Sequence, residues 1–292
     1  MAPRSPFLLA VALCSAFCAP HSFCQAAPPD AITGPQSAQL LKDAAAKYYR
    51  VDPAIKSFTC NAQPNWETLA WDKVVAPTLD PPSSYAALIA KLRQAAPMSF
   101  TFTIGHSFNG FAGLTIPDAP GITSDEQKMS DTIQGLYAQM LIQYLKFWGD
   151  LFNGEMIPGH PTSVRRTPDG YETHEAIDDP DIRGHNDLVL DSNLVLLSRD
   201  LLVNDNDIRM KPTFTPSPSG LLLTAASLDV SSPAFTAAGL TNDMSYTSTF
   251  AAVDTVLLPS GFKSVATITQ SGKTGKLVID MTFSACTLKK NQ

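Results

Sequence analysis

From about residue 160 to its end the chain alternates apolar and polar residues with a period of two, broken at short intervals by turn signals. Near the C-terminus Leu277, Ile279, Met281, Phe283 and Ala285 oppose Lys276, Val278, Asp280, Thr282 and Ser284. Successive side chains of a strand point to opposite faces, so this spacing builds one apolar face and one polar face. Turn signals stand at 168–170 (PDG), 217–220 (SPSG), 259–261 (PSG) and 271–275 (SGKTG). No convincing helix follows residue 160, and a parallel α/β sheet needs strands that alternate with helices. The pattern predicts an antiparallel sheet, wet on one side.

Three helices are expected before this region. The stretch PQSAQLLKDAAAKYYR places Pro35 in a first turn after Gly34 and aligns Leu40, Leu41, Ala44 and Tyr48 on one stripe. SSYAALIAKLRQAA sets Tyr85, Leu88, Ile89 and Leu92 at helical spacing and stops before Pro97. The third is the best marked. Ser124 and Gln127 form a capping box, Asp125 and Glu126 suit the positive N-terminal end, and Gly154 follows Asn153 as a stop. Its stripe runs Met129, Ile133, Leu136, Tyr137, Met140, Tyr144, Trp148, Leu151 and Phe152. A helix this long, about 43 Å at 1.5 Å per residue, needs a broad apolar surface to lie on.

Between these helices the stretch FTFTIGHSFNG, 100–110, raises the question of a catalytic serine. A nucleophile elbow reads G-x-S-x-G and leads directly into a helix. Here the second glycine, Gly110, comes one place late after Gly105 and Ser107, and FAGLTIPDAPG continues as a strand with two prolines. The better reading is a β-hairpin: strand 98–104, a loop turning at Asn109-Gly110, and a returning strand 111–116. His106 then belongs to the loop.

The N-terminus carries Arg4, an apolar run from Phe7 to Phe17 and a small-residue exit near Ala26, the pattern of a secretory signal over 1–26. The run is shorter than the roughly 20 residues that span a bilayer. Residues 27–292 read as one domain, without a low-complexity linker or a fixed-period repeat. Cleavage removes Cys14, Cys18 and Cys24 and leaves Cys60 and Cys286, an even number in an oxidising compartment. We expect a disulfide tying the beginning of the domain to its end; two buried thiols are the alternative. Loss of Arg4 takes one from the 21 basic residues against 27 acidic ones. That balance argues against nucleic acid or an anionic membrane surface as partner.

Other chemistry is thin. The segment ETHEAIDDPDIRGHND offers His174, Glu172 or Glu175, His185 and Asp187 as a conceivable set for zinc or another transition metal. Its spacing matches no known ligand motif, and acid-rich segments with Pro and Gly read as solvated loops, so no metal is expected. NDNDIRMKP, 204–212, lacks the glycine and distal glutamate of a calcium loop and reads as a polar turn. No cofactor fingerprint or phosphate cradle occurs, and none is expected. The lack of a catalytic constellation points to binding.

The order of elements, an exported chain with an N-terminal helix, a strand containing IKSFTC, a long apolar helix and antiparallel strands to the end, resembles the LolA/LolB lipoprotein carriers, whose fold the periplasmic sensor RseB shares. The closing stretch 254–288, a strand into Leu-Pro, a strand, a short turn and a last strand, is the most suggestive part. The resemblance implies an α+β fold in which a strongly curved antiparallel sheet, half a barrel, is covered on its concave side by helices. It implies a periplasmic or secreted, non-enzymatic protein that binds a lipid, a lipoprotein acyl chain or another hydrophobic ligand, with a lipoprotein and envelope transport proteins as partners.

The residues agree with that expectation. The helix stripe 129–152 and the strand 98–104 supply two apolar surfaces, and large concave apolar spaces receive hydrophobic ligands. Phe100, Phe102, Ile104, Met140, Tyr144, Trp148 and Phe152 are the candidates to line such a space. The same spacing fits a filled core, hence a secreted β-rich interaction domain, because periodicity reports burial and not what fills the space. A serine hydrolase using Ser107 with His174 or His185 is the third reading.

Overall fold

The computed structural model describes residues 30–68, 85–104, 111–153, 156–157, 159, 163–178, 183–237, 239–270 and 273–291. The expected signal at 1–26, with Cys14, Cys18 and Cys24, lies outside the described residues, as do His106, Ser107, Asn109, Gly110, Gly154 and His160.

Thirteen antiparallel strands form one sheet that does not close on itself. Nine of them run as a meander: β5 (Ser163–Thr167), β6 (Gly170–Asp178), β7 (Arg183–Asp191), β8 (Leu196–Val203), β9 (Asn206–Ser217), β10 (Gly220–Ser231), β11 (Leu240–Val253), β12 (Val256–Gln270) and β13 (Lys273–Lys290). Two-residue β1 (Ala31–Ile32) adds to β5 at one edge. At the other, β2 (Ile55–Pro64), β3 (Met98–Thr103) and β4 (Phe111–Thr115) follow β13, with β3 and β4 paired as the expected hairpin.

The two-residue period predicts burial well where the ladder is regular. Ile279, Met281 and Phe283 of β13 are buried in the core. Ala285 leaves the expected stripe: it has φ 49° at a bulge, where the pairing with β2 slips between Ser284 and Thr287. Cys286 sits in that bulge and is bonded to Cys60 of β2, 226 residues away in sequence, so the expected disulfide ties neighbouring strands from the two ends of the domain.

Several expected turns are displaced. Residues 259–261 lie inside β12, where Ser260 is the extra residue between the pairs Thr249↔Gly261 and Phe250↔Pro259. Pro259 has no N–H for a ladder and is tolerated at such a bulge; the turn falls at Asp254 instead, with φ 53°. In 204–212 only Asn204 and Asp205 turn, with φ 47° and 66°, as a two-residue hairpin requires, and the rest is β9. The segment expected as an acidic loop is two strands, β6 and β7, paired from Gly170↔Asp191 to Asp178↔Arg183. One short helix, α4 (Pro233–Ala237), interrupts the strand succession that was expected to hold no helix after residue 160.

The preceding helices are α1 (Pro35–Ala45), α2 (Tyr85–Leu92) and α3 (Ser124–Asn153). α1 starts as expected, with Gly34 at φ 60° and Pro35 in the first turn, but it ends before Tyr48. There the chain pairs with the start of β10: Leu221 N–H donates to Lys47 O (2.8 Å) and Tyr49 N–H to Leu221 O (3.0 Å). The Tyr48 hydroxyl accepts from Leu196 N–H (2.7 Å), and the Tyr49 hydroxyl accepts from Leu257 N–H (2.9 Å). Adjacent tyrosines thus clasp the starts of β8, β10 and β12. Burial pushes the Tyr48 hydroxyl up to about 12.

α3 is capped one residue earlier than the sequence suggests. Thr123 N–H and Oγ1 both donate to Glu126 Oε2 (2.8 Å each), and Thr123 O accepts from the N–H of Glu126 and Gln127, so the capping box is Thr123–Glu126. Lys91 of α2 donates to the same Glu126 oxygen at 2.6 Å. That bond, with the two from Thr123, holds the Glu126 carboxyl at about 2. Among the described residues no helix is long and apolar enough to cross a membrane.

Candidate functional site

α3 meets one face of the sheet through its aromatic stripe. Tyr144 stacks on Phe262 of β12, with centroids 4.3 Å apart and planes within 7°. It also approaches Phe283 of β13 at 6.0 Å and its own neighbour Trp148 at 5.6 Å. Trp148 stands edge-on to Phe250 of β11, and Phe147 stacks on Tyr246 of the same strand. Gly149 faces Phe102 of β3: a Cβ there would lie 3.4 Å from the Phe102 ring, in ordinary van der Waals contact.

The expected lining residues fall on this layer. Phe100 and Phe102 share the face with Phe58 of β2, and Tyr144 and Trp148 are wholly buried. Met140 is buried, and Ile104, just past β3, is half-buried against the core with its N–H bonded to Lys56 O at 2.9 Å. The backbone of Phe152 lies in the last turn of α3; its side chain is outside the described residues. Sequence reasoning missed Phe262, Phe283, Phe250 and Tyr246 as partners. The last two lie four apart on β11, separated by Ser248, which dilutes the apolar alternation.

Two polar details mark the layer. Tyr144 OH and Ser248 Oγ are bonded at 2.6 Å, and burial pushes the Tyr144 hydroxyl far up. Trp148 Nε1 is buried and has no hydrogen-bond partner among the described residues; the same holds for Trp66 Nε1, whose ring packs 4.7 Å from Tyr137 at the other half of α3. A buried donor left unpaired costs about 1–3 kcal/mol.

A second site lies on the opposite face. Register carries the α3 face from Tyr246 through Ala226, Leu228, Met210 and Arg199 to Leu188 and Thr173, so Asp187 and Asp200 point the other way. There Ser163, His174, Asp187, Asp200 and Arg209 form one cross-strand row over β5 to β9. Of these, Ser163, His174, Asp187 and Asp200 line a recess of about 470 Å³, together with Arg165 and Glu172. His174 Nδ1 and Asp187 Oδ1 are 2.6 Å apart, and His185 Nε2 lies 3.7 Å from Asp187 Oδ2. Glu172 pairs with Arg165, whereas Glu175 faces the other side and accepts from Asn186 Nδ2 at 2.9 Å. Of the set considered from sequence, the fold gathers His174, His185, Asp187 and Glu172 and excludes Glu175.

The chain matches no family model, no curated protein and no solved structure.

Proposed function

We propose that the protein is exported and binds a hydrophobic ligand, a lipid or the acyl chain of a lipoprotein, between α3 and the sheet face it packs on. The observation that carries this reading is Trp148 Nε1, a buried N–H with no partner among the described residues, in the middle of an aromatic layer. Proteins pair nearly all such groups. A carbonyl or carboxylate oxygen at the head of an acyl chain would satisfy it while the chain lies along the rings of Tyr144, Phe250 and Phe262. In this reading the open sheet curls into half a barrel, the helices cover its concave side, and α3 lifts to admit the ligand. The ligand is held and released without chemistry, and envelope transport proteins are the partners.

A filled-core interaction domain is the competing reading, favoured by the Tyr144–Phe262 stack and by the complete burial of Tyr144 and Trp148. Titration of delipidated protein with a fluorescent fatty acid decides between them. Wild-type protein is expected to bind, and Trp148→Phe, which keeps a ring but removes the N–H, to bind roughly ten-fold more weakly with only modest loss of stability. No binding by the wild type, or equal binding by Trp148→Phe, overturns the proposal. Native mass spectrometry of protein from its own envelope identifies the ligand.

A further inference from the structure

The side of the sheet turned away from α3 concentrates acid around two imidazoles. Asp187 of β7 stands directly opposite Asp200 of β8, a like-charge pair that costs stability on an antiparallel ladder. Asp207 adds a third carboxylate beside them, and Arg209 is shared between Asp200 at 3.4 Å and Asp207 at 2.9 Å. Arg165 is engaged by Glu172. His174 and His185 stand on either side of Asp187, each facing a different carboxylate oxygen.

We propose that His174, His185 and Asp187 bind a divalent transition-metal ion at the edge of the recess, with Asp200 as a fourth ligand. The backbone supplies the spacing: His185 and Asp187 are two apart on β7, and His174 is directly opposite Asp187 on β6. The rings of His174 and His185 lie 5.8 Å apart. Two imidazoles on one ion, each bound at about 2.1 Å, hold their centroids about 5–6 Å apart at angles near or somewhat above tetrahedral. Among the described residues no group of three or more His, Cys, Asp or Glu side chains is arranged to hold a metal ion as it stands. His174 Nδ1 and Asp187 are bonded to each other instead, and the ion takes the place of that hydrogen bond, the neutral imidazole carrying its proton on Nε2. The side chains of His174, Asp187 and His185 are 47, 41 and 33 % exposed, so small rotations in open solvent close the site. Two nitrogen ligands select a borderline metal such as Zn²⁺ over Ca²⁺ or Mg²⁺, which prefer oxygen alone.

Isothermal titration calorimetry of chelator-stripped protein with Zn²⁺, and separately with Ca²⁺, tests the site. One Zn²⁺ per chain is expected, and Ca²⁺ is expected to bind at least ten-fold more weakly. His174→Ala, His185→Ala and Asp187→Asn are each expected to weaken Zn²⁺ at least ten-fold while circular dichroism shows the sheet intact. Asp200→Asn is expected to weaken it less. Failure of the wild type to bind Zn²⁺, or undiminished binding by a folded His174→Ala/His185→Ala double variant, overturns the assignment. Should a single variant unfold, Zn²⁺ protection of His174 and His185 from diethyl pyrocarbonate in the wild type reads the same site, and its absence counts against it.

Discussion

Tyr144 of α3 and Phe262 of β12 lie face to face, ring centroids 4.3 Å apart and planes 7° from parallel, with the Tyr144 hydroxyl bonded to Ser248 of the neighbouring strand. This one contact joins helix and sheet by packing and by a buried hydrogen bond, and the two parts separate by mutation. Tyr144→Phe is expected to cost about 0.5–1.5 kcal/mol, since Ser248 keeps its bond to Gly261 O. Tyr144→Ala is expected to cost about 3–5 kcal/mol. Urea denaturation of both variants measures the difference; equal losses would contradict the division.

The Cys60–Cys286 bond closes a loop of 226 residues. In the chain-entropy view such a cross-link stabilises by about 5 kcal/mol, less any native strain. Thiol titration of the unfolded, unreduced protein lacking residues 1–26 should find none free. Reduction should lower the denaturation midpoint, and an unchanged midpoint would show that the bond carries no stability.

The Glu126 carboxylate contributes to stability in a pH-dependent way. Its folded value, about 2, lies below the ordinary 4.5 because Lys91 and Thr123 donate to it. A depressed carboxyl stabilises fully above its unfolded value and loses that contribution as pH falls from 4.5 towards 2. Glu126→Gln should therefore be less stable than wild type at pH 6 and indistinguishable near pH 2, as thermal melts at both pH values would show. A difference that persists unchanged at pH 2 would exclude this carboxylate as its source.

Gly220 begins β10 at φ 120°, where a Cβ would meet the Tyr48 carbonyl carbon at 2.8 Å and Lys47 O at 2.9 Å. Gly220→Ala should destabilise by more than about 1 kcal/mol. It should also speed hydrogen exchange at the Leu196 and Leu257 amides, which the Tyr48 and Tyr49 hydroxyls protect. Unchanged exchange at both amides would mean that the tyrosine clasp survives without the glycine.

Local chemistry made much of the fold legible. Pro35 after Gly34 starts α1, the spacing of Leu88, Ile89 and Leu92 gives α2 its buried face, and the period of two marks β3, β4 and most of β13, because each depends only on neighbours along the chain. Even the pair Cys60 and Cys286 follows from counting thiols after the expected secretory signal. Where local signals compete, tertiary packing chose. Both Thr123 and Ser124 can cap α3, and Lys91 of α2, bonded to Glu126, favours the earlier box. Pro259-Ser260-Gly261 reads as a turn but becomes a bulge, because Asp254 already turns the chain.

The sites depended on register, which no single segment contains. His174 and Asp187 share a face only because of the register in which β6 pairs with β7, and a slip of one residue would put them on opposite faces. The same pairing turned an apparent acidic loop into two strands, with Glu172 on one side and Glu175 on the other. Likewise the stripe of α3 announces that Tyr144 and Trp148 are buried, yet only the assembled sheet brings Phe262 under the first and leaves the N–H of the second without a partner among the described residues. Sequence determined which side chains leave water, since hydrophobicity and alternation belong to each segment alone. Structure decided what they meet, since that is fixed by contacts between segments far apart in the chain.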